Sequence, residues 1–307
     1  MKNKTKLIAK IIFPLAIVAG IAALLLSPSI RKKDYKIVTT IFPLYDITSS
    51  IYGKDDVKLI IKPGTELHDY EPTPEDIINI KEADVLIYNG GESEEWIEKI
   101  LEDTKEGATV IRTMDLVENL EEEHEHEHDE YDEHIWANPK NVIKIVEKVS
   151  SVLSEKYPAK QQEISQNAKD YTAKMQEIDE RFSELQKHNN ENIIVVADRF
   201  PFAYFIHEYG FKYIAAFSGC SHDAEVSSAK LSELIETIKS QKQKTVYTLE
   251  LSNQKIANTI KDATGAEIKT LYSGETVTLE DYNSNVGLYE LYNRNYETLE
   301  ALLYAAD

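Results

Sequence analysis

Short runs of β-branched and apolar residues alternate with segments of helical spacing along the first half of the chain. The apolar runs predict strands at residues 36–42, 57–61, 83–88 and 109–112. Apolar residues spaced three or four apart predict helices at residues 45–52, 74–82 and 141–153. Strands that alternate with helices in this way favour a parallel α/β sheet.

The second half repeats this alternation, starting near Asn192. Strands are predicted at residues 193–197, 212–217, 245–249 and 268–272. Helices are predicted at residues 202–209, 229–240 and 253–264, and Gly210 and Gly265 end the first and the last of them. The pattern therefore predicts a second α/β lobe.

One long helix is predicted between the two lobes, over residues 163–186. Its apolar residues are three or four positions apart: Ala168, Tyr171, Met175, Ile178, Phe182 and Leu185. At ~3.6 residues per turn this spacing gives a helix of about seven turns. The expected fold class is α/β, with two lobes that are each a mostly parallel sheet flanked by helices. The expected boundaries are an N-terminal lobe at residues 34–158, a linking helix at 159–191 and a C-terminal lobe at 192–307.

Residues 1–33 have the pattern of an export signal. Four lysines precede an uncharged apolar run at residues 11–30, and three basic residues follow it. The run is about long enough to span a bilayer, and its end offers neither a good cleavage motif nor a cysteine for lipid attachment. We therefore expect an uncleaved membrane anchor, with cleavage and secretion as the alternative.

The charge of the chain excludes some partners. Its net charge is −20, but seven basic residues and no acids precede Asp34, which leaves 27 basic and 54 acidic residues in the body. A body this acidic repels nucleic acid and attracts cations. Cys220 is the only cysteine, so an internal disulfide is impossible.

Residues 118–133 form a segment too polar to pack in a core. His124, His126 and His128 alternate there with acidic residues, which favours cation binding without a fixed geometry. The segment is either an accessory loop that captures metal for a tighter site or simply a solvated acidic loop.

Residues that commonly bind metals follow several of the predicted strands. His68, Asp198 and Glu275 lie at such positions, as do Cys220 and His222 on one further loop, and His134 lies at the entrance to a predicted helix. Ligands bind at the carboxyl ends of the strands in open α/β sheets, and imidazole with carboxylate suits Zn²⁺ or Mn²⁺. Each residue alone could be a surface group, an ion-pair partner or a buried thiol.

Two motifs resemble the signature segments of the zinc and manganese solute-binding proteins of ABC importers. They are LHDYEPTP at residues 67–74 and DEHIWANP at 132–139, and the similarity continues at 83–91 and 250–253. The resemblance covers about residues 36–305. It implies that His68 and His134 are metal ligands, that Glu275 is an acidic ligand from the second lobe, and that the linking helix is rigid.

The second lobe departs from the family pattern at residues 198–204, DRFPFAY. Counting back from Phe202 places Arg199 at the family's ligand position, and arginine cannot bind a cation. If the segment carries one extra residue, Asp198 takes that position, and His222 and Cys220 are its rivals.

The resemblance implies an extracytoplasmic receptor that captures zinc between its lobes and delivers it to a membrane permease and its ATPase. Such a receptor is expected to be a monomer at the outer face of the membrane. A manganese receptor of the same type and an extracellular metal buffer or adhesin are the alternatives. Apart from residues 124–128 in the acidic loop, the chain has no HExxH pair, and it has no nucleophile motif, so we do not expect an enzyme.

Overall fold

The computed structural model describes residues 35–118, 120–121, 131–188, 192–217 and 225–304. Tyr35–Asp307 forms one compact unit, distinct from Met1–Asp34. Within the described ranges, no helix is both long enough and apolar enough to cross a membrane. The predicted anchor at residues 11–30 and the histidines of the acidic loop lie outside the described residues.

The N-terminal lobe contains a four-stranded parallel sheet. Its strands are β1 (Ile37–Thr39), β2 (Val57–Leu59), β3 (Val85–Tyr88) and β4 (Thr109–Arg112). They lie in the order β2-β1-β3-β4 and every neighbouring pair is parallel. The central strands β1 and β3 are buried at every residue. This is why they appear as continuous apolar runs and not as alternating patterns.

The C-terminal lobe repeats this topology. Its strands are β5 (Ile193–Val196), β6 (Lys212–Ala215), β7 (Thr245–Thr248) and β8 (Glu267–Thr270). Their order is β6-β5-β7-β8, again with every pair parallel. In both sheets the first strand in sequence lies inside the sheet and the second lies at its edge. The strand order therefore reverses beside the first strand of each sheet.

Helices flank both sheets. They are α1 (Phe42–Tyr52), α2 (Pro74–Lys81), α3 (Glu95–Glu98), α4 (Pro139–Lys156), α5 (Gln161–Lys187), α6 (Ala203–Tyr209), α7 (Ser228–Ser240), α8 (Lys255–Thr264), α9 (Leu279–Asn283) and α10 (Leu288–Tyr304). Helix α1 begins three residues earlier than predicted. The sequence prediction did not include α10, although Leu288, Leu291, Leu299 and Leu302 have helical spacing and are buried.

The long helix α5 joins the lobes, as predicted. Its 27 residues extend about 40 Å at 1.5 Å per residue. Every apolar residue used to predict it is buried, and the helix packs against α1, α4 and α10. One apolar core includes side chains of both sheets, and a second, smaller core lies within the C-terminal lobe. The predicted α/β fold with two lobes and a long connecting helix is confirmed.

Candidate metal centre

The loops after the strands of both sheets meet at one place. Glu66 and His68 follow β2, Arg199 follows β5 and Glu275 follows β8. A cavity of about 520 Å³ beside them is lined by residues that include Glu66, Asp198, Arg199, Glu250 and Glu275. This is the crevice at the carboxyl ends of the strands where α/β folds bind ligands.

His134 is completely buried and held in one orientation by Asp132. One oxygen of Asp132, Oδ1, accepts hydrogen bonds from the His134 amide at 2.7 Å and lies 3.0 Å from Nδ1 of the ring. The Tyr204 hydroxyl from the other lobe donates to the Asp132 carbonyl at 2.8 Å. Because Nδ1 faces Asp132, Nε2 faces the cleft, 3.7 Å from Oε2 of Glu275.

The segment that follows His134 holds this residue in place. Ile135–Ala137 makes one 3₁₀ turn, and the Asn138 side chain then caps α4 by accepting from the Lys140 amide at 2.9 Å. Trp136 is fully buried, and its indole N–H donates to the Ser273 carbonyl of the C-terminal lobe at 3.1 Å. The DEHIWANP motif thus positions His134 from both sides.

His68 is oriented by a second polar pair. Its Nδ1 lies 3.0 Å from the Ser93 hydroxyl and 3.6 Å from Oε1 of Glu133, and the Ser93 hydroxyl itself donates to Glu133. Gly91, with a φ of 113°, allows this arrangement, because a side chain there would overlap Glu133. The rings of His68 and His134 lie with their centroids 6.0 Å apart.

Glu275 reaches the two histidines from the C-terminal lobe. Its carboxylate accepts from the Leu67 amide at 3.3 Å and is almost completely buried. Burial opposes ionisation, but the hydrogen bond and charge of His134, with the charges of His68 and Arg199, hold the pKa of Glu275 well below its usual range. Glu275 is therefore an anion at the centre of the site.

Glu66 is a further carboxylate at the site, which the sequence prediction missed. One of its oxygens, a ring nitrogen of His68 and an oxygen of Glu275 all lie within 4.8 Å of one another. Burial and the negative charge of Glu275 raise the pKa of Glu66 to about 7, although the charge of Arg199 opposes this.

A second group of potential ligand atoms within the same distance of one another comes from His68, Glu133 and His134. In Glu133, burial raises the pKa to about 7 against the charge of His134 and the hydrogen bond from Ser93.

Of the four residues predicted as ligands, the structure brings together His68, His134 and Glu275. Asp198 lines the same cavity, but it belongs to neither of the two potential ligand groups found in the described residues. Its carboxylate accepts from the Arg199 amide at 3.0 Å and the Leu249 amide at 3.5 Å. Coordination by Asp198 stays a prediction. The rivals Cys220 and His222 lie outside the described residues.

This arrangement can hold a divalent cation. In a four-coordinate zinc site the donor atoms lie about 3.3 Å apart, because each is 2.0–2.2 Å from the ion. The 3.7 Å between Nε2 of His134 and Glu275 needs a shift of only a few tenths of an ångström. Carboxylates and hydroxyls that orient ligating imidazoles from behind are typical of protein metal sites. Asp132 lies behind the His134 ring in this way, and Ser93 and Glu133 lie behind the His68 ring.

Proteins of known structure share this fold and arrangement of lobes. The zinc-bound ZnuA-like domain of Streptococcus pneumoniae AdcA is 31% identical, with a TM-score of 0.72, over 87% of this chain and 98% of that domain. The metal-dependent lipoprotein YcdH of Bacillus subtilis is 29% identical, with a TM-score of 0.74, over 88% of this chain and 99% of that one.

Curated relatives give the same family. Zinc-binding lipoprotein AdcA of Streptococcus pneumoniae is 32% identical over 92% of this chain, which spans only 60% of AdcA. High-affinity zinc uptake system protein ZnuA of Bacillus subtilis is 31% identical over 86% of each chain. The family model for ZnuA, described as zinc-uptake complex component A, periplasmic, matches residues 37–302. The chain therefore belongs to the ZnuA family.

Proposed function

We propose that this protein is an extracytoplasmic receptor that binds Zn²⁺ between its lobes and delivers it to the permease and ATPase of an ABC importer. The observation that carries the proposal is the convergence of His68 and His134 from one lobe with Glu275 from the other. The names of the curated relatives, zinc-binding lipoprotein and high-affinity zinc uptake protein, support zinc as the cargo. We infer a binding role without catalysis.

The proposed ligands are Nε2 of His68 and His134 and the carboxylate of Glu275. Two neutral imidazoles with one carboxylate give a donor set that zinc accepts readily. The buried negative charge of Glu275 offsets part of the charge of a divalent ion, which a site shielded from water requires. Asp198 stays a candidate for a fourth position, and Asp198→Ala tests it. A large loss of zinc affinity supports ligation, and parental affinity contradicts it.

The N-terminal residues fit this location. We propose that residues 1–33 direct export and hold the protein at the outer face of the membrane through the apolar run at 11–30. Residues 34–158, 159–191 and 192–307 would then form the extracytoplasmic lobe, linking helix and second lobe of a monomer. Recovery of the protein in the soluble fraction of cells would contradict the anchor.

We propose an accessory role for the acidic loop around His124, His126 and His128. Imidazoles beside carboxylates attract zinc, and a second, weaker class of binding sites is the expected consequence. Deletion of residues 121–129 should remove the weaker binding and leave the tight site unchanged. Loss of the tight site in this variant would contradict the accessory role.

The central experiment measures zinc affinity by competition with a chromogenic chelator, using the full chain in detergent. We expect about one tightly bound zinc, and a loss of most of that affinity in His68→Ala and in His134→Ala, because each leaves an incomplete coordination shell. His188→Ala is the matched control, since His188 lies at the C-terminal end of α5 with about half of its side chain exposed. Parental affinity in both cleft variants would refute the site.

A further inference from the structure

Arg199 makes an ion pair across the cleft, directly beside the proposed ligands. Its Nη2 lies 2.9 Å from each carboxylate oxygen of Glu66. The Arg199 side chain is 12% exposed and that of Glu66 is 25% exposed, so the pair is largely shielded from water. Glu66 belongs to the N-terminal lobe and Arg199 to the C-terminal lobe, so the pair also joins the two sheets.

This pair engages a carboxylate that would otherwise be a metal ligand. One Glu66 oxygen lies in the same group of potential donors as atoms of His68 and Glu275. A metal ion bound there would compete with the Arg199 guanidinium for the Glu66 carboxylate, since Nη2 of Arg199 lies 2.9 Å from both of its oxygens. Arginine retains its proton at any physiological pH, so this competing cation is permanent.

The number of carboxylate donors matters differently to zinc and to manganese. Zinc is satisfied by four donors and accepts imidazole readily, whereas manganese favours oxygen donors and higher coordination numbers. With Glu66 engaged, the cleft offers two imidazoles and the Glu275 carboxylate. With Glu66 released, it offers a second carboxylate, which favours manganese more than zinc, and it loses a positive charge, which favours both cations alike.

We propose that Arg199 determines the metal specificity of this site, because it withholds Glu66 from the coordination shell and so favours zinc over manganese. This inference rests on the proposed function, since it assumes that the cation binds at His68, His134 and Glu275. The proposal assigns a function to Arg199, the residue that departs from the family's ligand pattern.

The test measures Zn²⁺ and Mn²⁺ affinities of the full chain in detergent for R199Q, E66Q and the double variant. R199Q should raise manganese affinity about tenfold and zinc affinity by a smaller factor, because the loss of a like charge helps both cations while the freed Glu66 carboxylate suits manganese better. E66Q alone should lower both affinities by a similar factor of about three, because it removes a negative charge beside the cation but no ligand while Arg199 holds Glu66. The double variant should lose the gain in manganese affinity.

R294Q is the matched control, because Arg294 makes a comparable pair with Asp281 at 2.8 Å outside the proposed site. It should leave the ratio of zinc to manganese affinity unchanged. Thermal unfolding of each metal-free variant identifies those that fail to fold. If R199Q is among them, R199K replaces it, since lysine keeps the charge but not the planar donor geometry. R199K should raise manganese affinity by a smaller factor than expected for R199Q.

The outcomes separate this inference from the proposed function. If both His68→Ala and His134→Ala keep parental zinc affinity, the proposed site itself is refuted. If the two variants lose most of their zinc affinity while R199Q, or R199K in its place, leaves the zinc-to-manganese ratio unchanged, only the specificity role of Arg199 is refuted. If E66Q alone weakens zinc binding as strongly as His68→Ala, Glu66 is a ligand and the inference is wrong.

Discussion

Asp132→Ala tests whether zinc affinity depends on the orientation of a ligand and not only on its presence. Asp132 Oδ1 accepts from the His134 amide and faces Nδ1 of the ring, and both residues are buried. Removing this acceptor leaves a buried amide unsatisfied, which costs about 1–3 kcal/mol of unfolding free energy. It also frees the imidazole to rotate, and loss of such orienting partners typically lowers metal affinity by about 10–100-fold.

Two measurements separate these effects. Circular dichroism of the metal-free variant should show a fall in Tm of about 2–4 °C for each kcal/mol lost. Chelator competition should show the weaker zinc binding at a temperature where the variant is folded. Asp132→Asn keeps an oxygen that can accept from both the amide and Nδ1, so it should restore most of the stability, but affinity should stay below the parental value because the negative charge behind the imidazole is lost. Asp103→Asn is the exposed control, with two thirds of its side chain in solvent.

A folded Asp132→Ala variant with parental zinc affinity would refute the reasoning. It would mean either that packing alone orients the His134 ring or that His134 does not bind the ion. The His134→Ala result distinguishes these two explanations, because only the second leaves zinc binding intact in that variant.

Two further predictions concern the frame around the site. Gly91→Ala should lower the free energy of unfolding by about 1–3 kcal/mol through backbone strain at its positive φ, and it should also weaken zinc binding by displacing Glu133. The control is Gly53→Ala, which is strained in the same way but has open space around it and should lower only the Tm. Equal zinc affinities in the two variants would contradict this prediction. Burial raises the pKa of Asp46 above its usual value despite hydrogen bonds from the Leu288 amide and the Tyr171 hydroxyl. The folded state therefore favours protonated Asp46, and this contribution to stability is lost as the pH rises from about 4 through the folded pKa. The Tm of Asp46→Asn relative to that of the parent should rise over the same pH range. A difference in Tm that does not change with pH would contradict the raised pKa of Asp46.

The elements of the fold were predictable because burial leaves a local pattern. Strands β1 and β3 are buried on both faces and so consist of apolar runs, and α5 buries one stripe of side chains at helical spacing. Helix α10 carries the same kind of signal and was missed because the prediction ended at the last strand. The start of α1 was placed late because its first residues, Phe42 and Pro43, follow directly on the strand that was extended to residue 42.

The site was less predictable, because its contacts join distant parts of the chain. His68 and His134 stand within recognisable motifs, and Glu275 follows a predicted strand. Nothing local indicates that Glu66 meets Arg199, which lies 133 residues further along. The orienting role of Ser93 depends on the approach of the loop after β3 to the His68 ring, which only the folded chain reveals.

The residues around the site also hold the lobes together, and this bears on how the cation is bound. The Gly64 amide donates to the Thr276 hydroxyl at 3.1 Å, and the Leu67 amide, the Trp136 indole and the Tyr204 hydroxyl make further hydrogen bonds across the cleft. The same apolar core continues through both lobes. Separating the lobes would break these buried contacts together, so the ligand positions are largely set before the ion arrives. In a preformed site, affinity depends mainly on which donors and charges face the ion. For this reason, a single charged side chain such as Arg199 can govern the choice of metal without any large movement of the lobes.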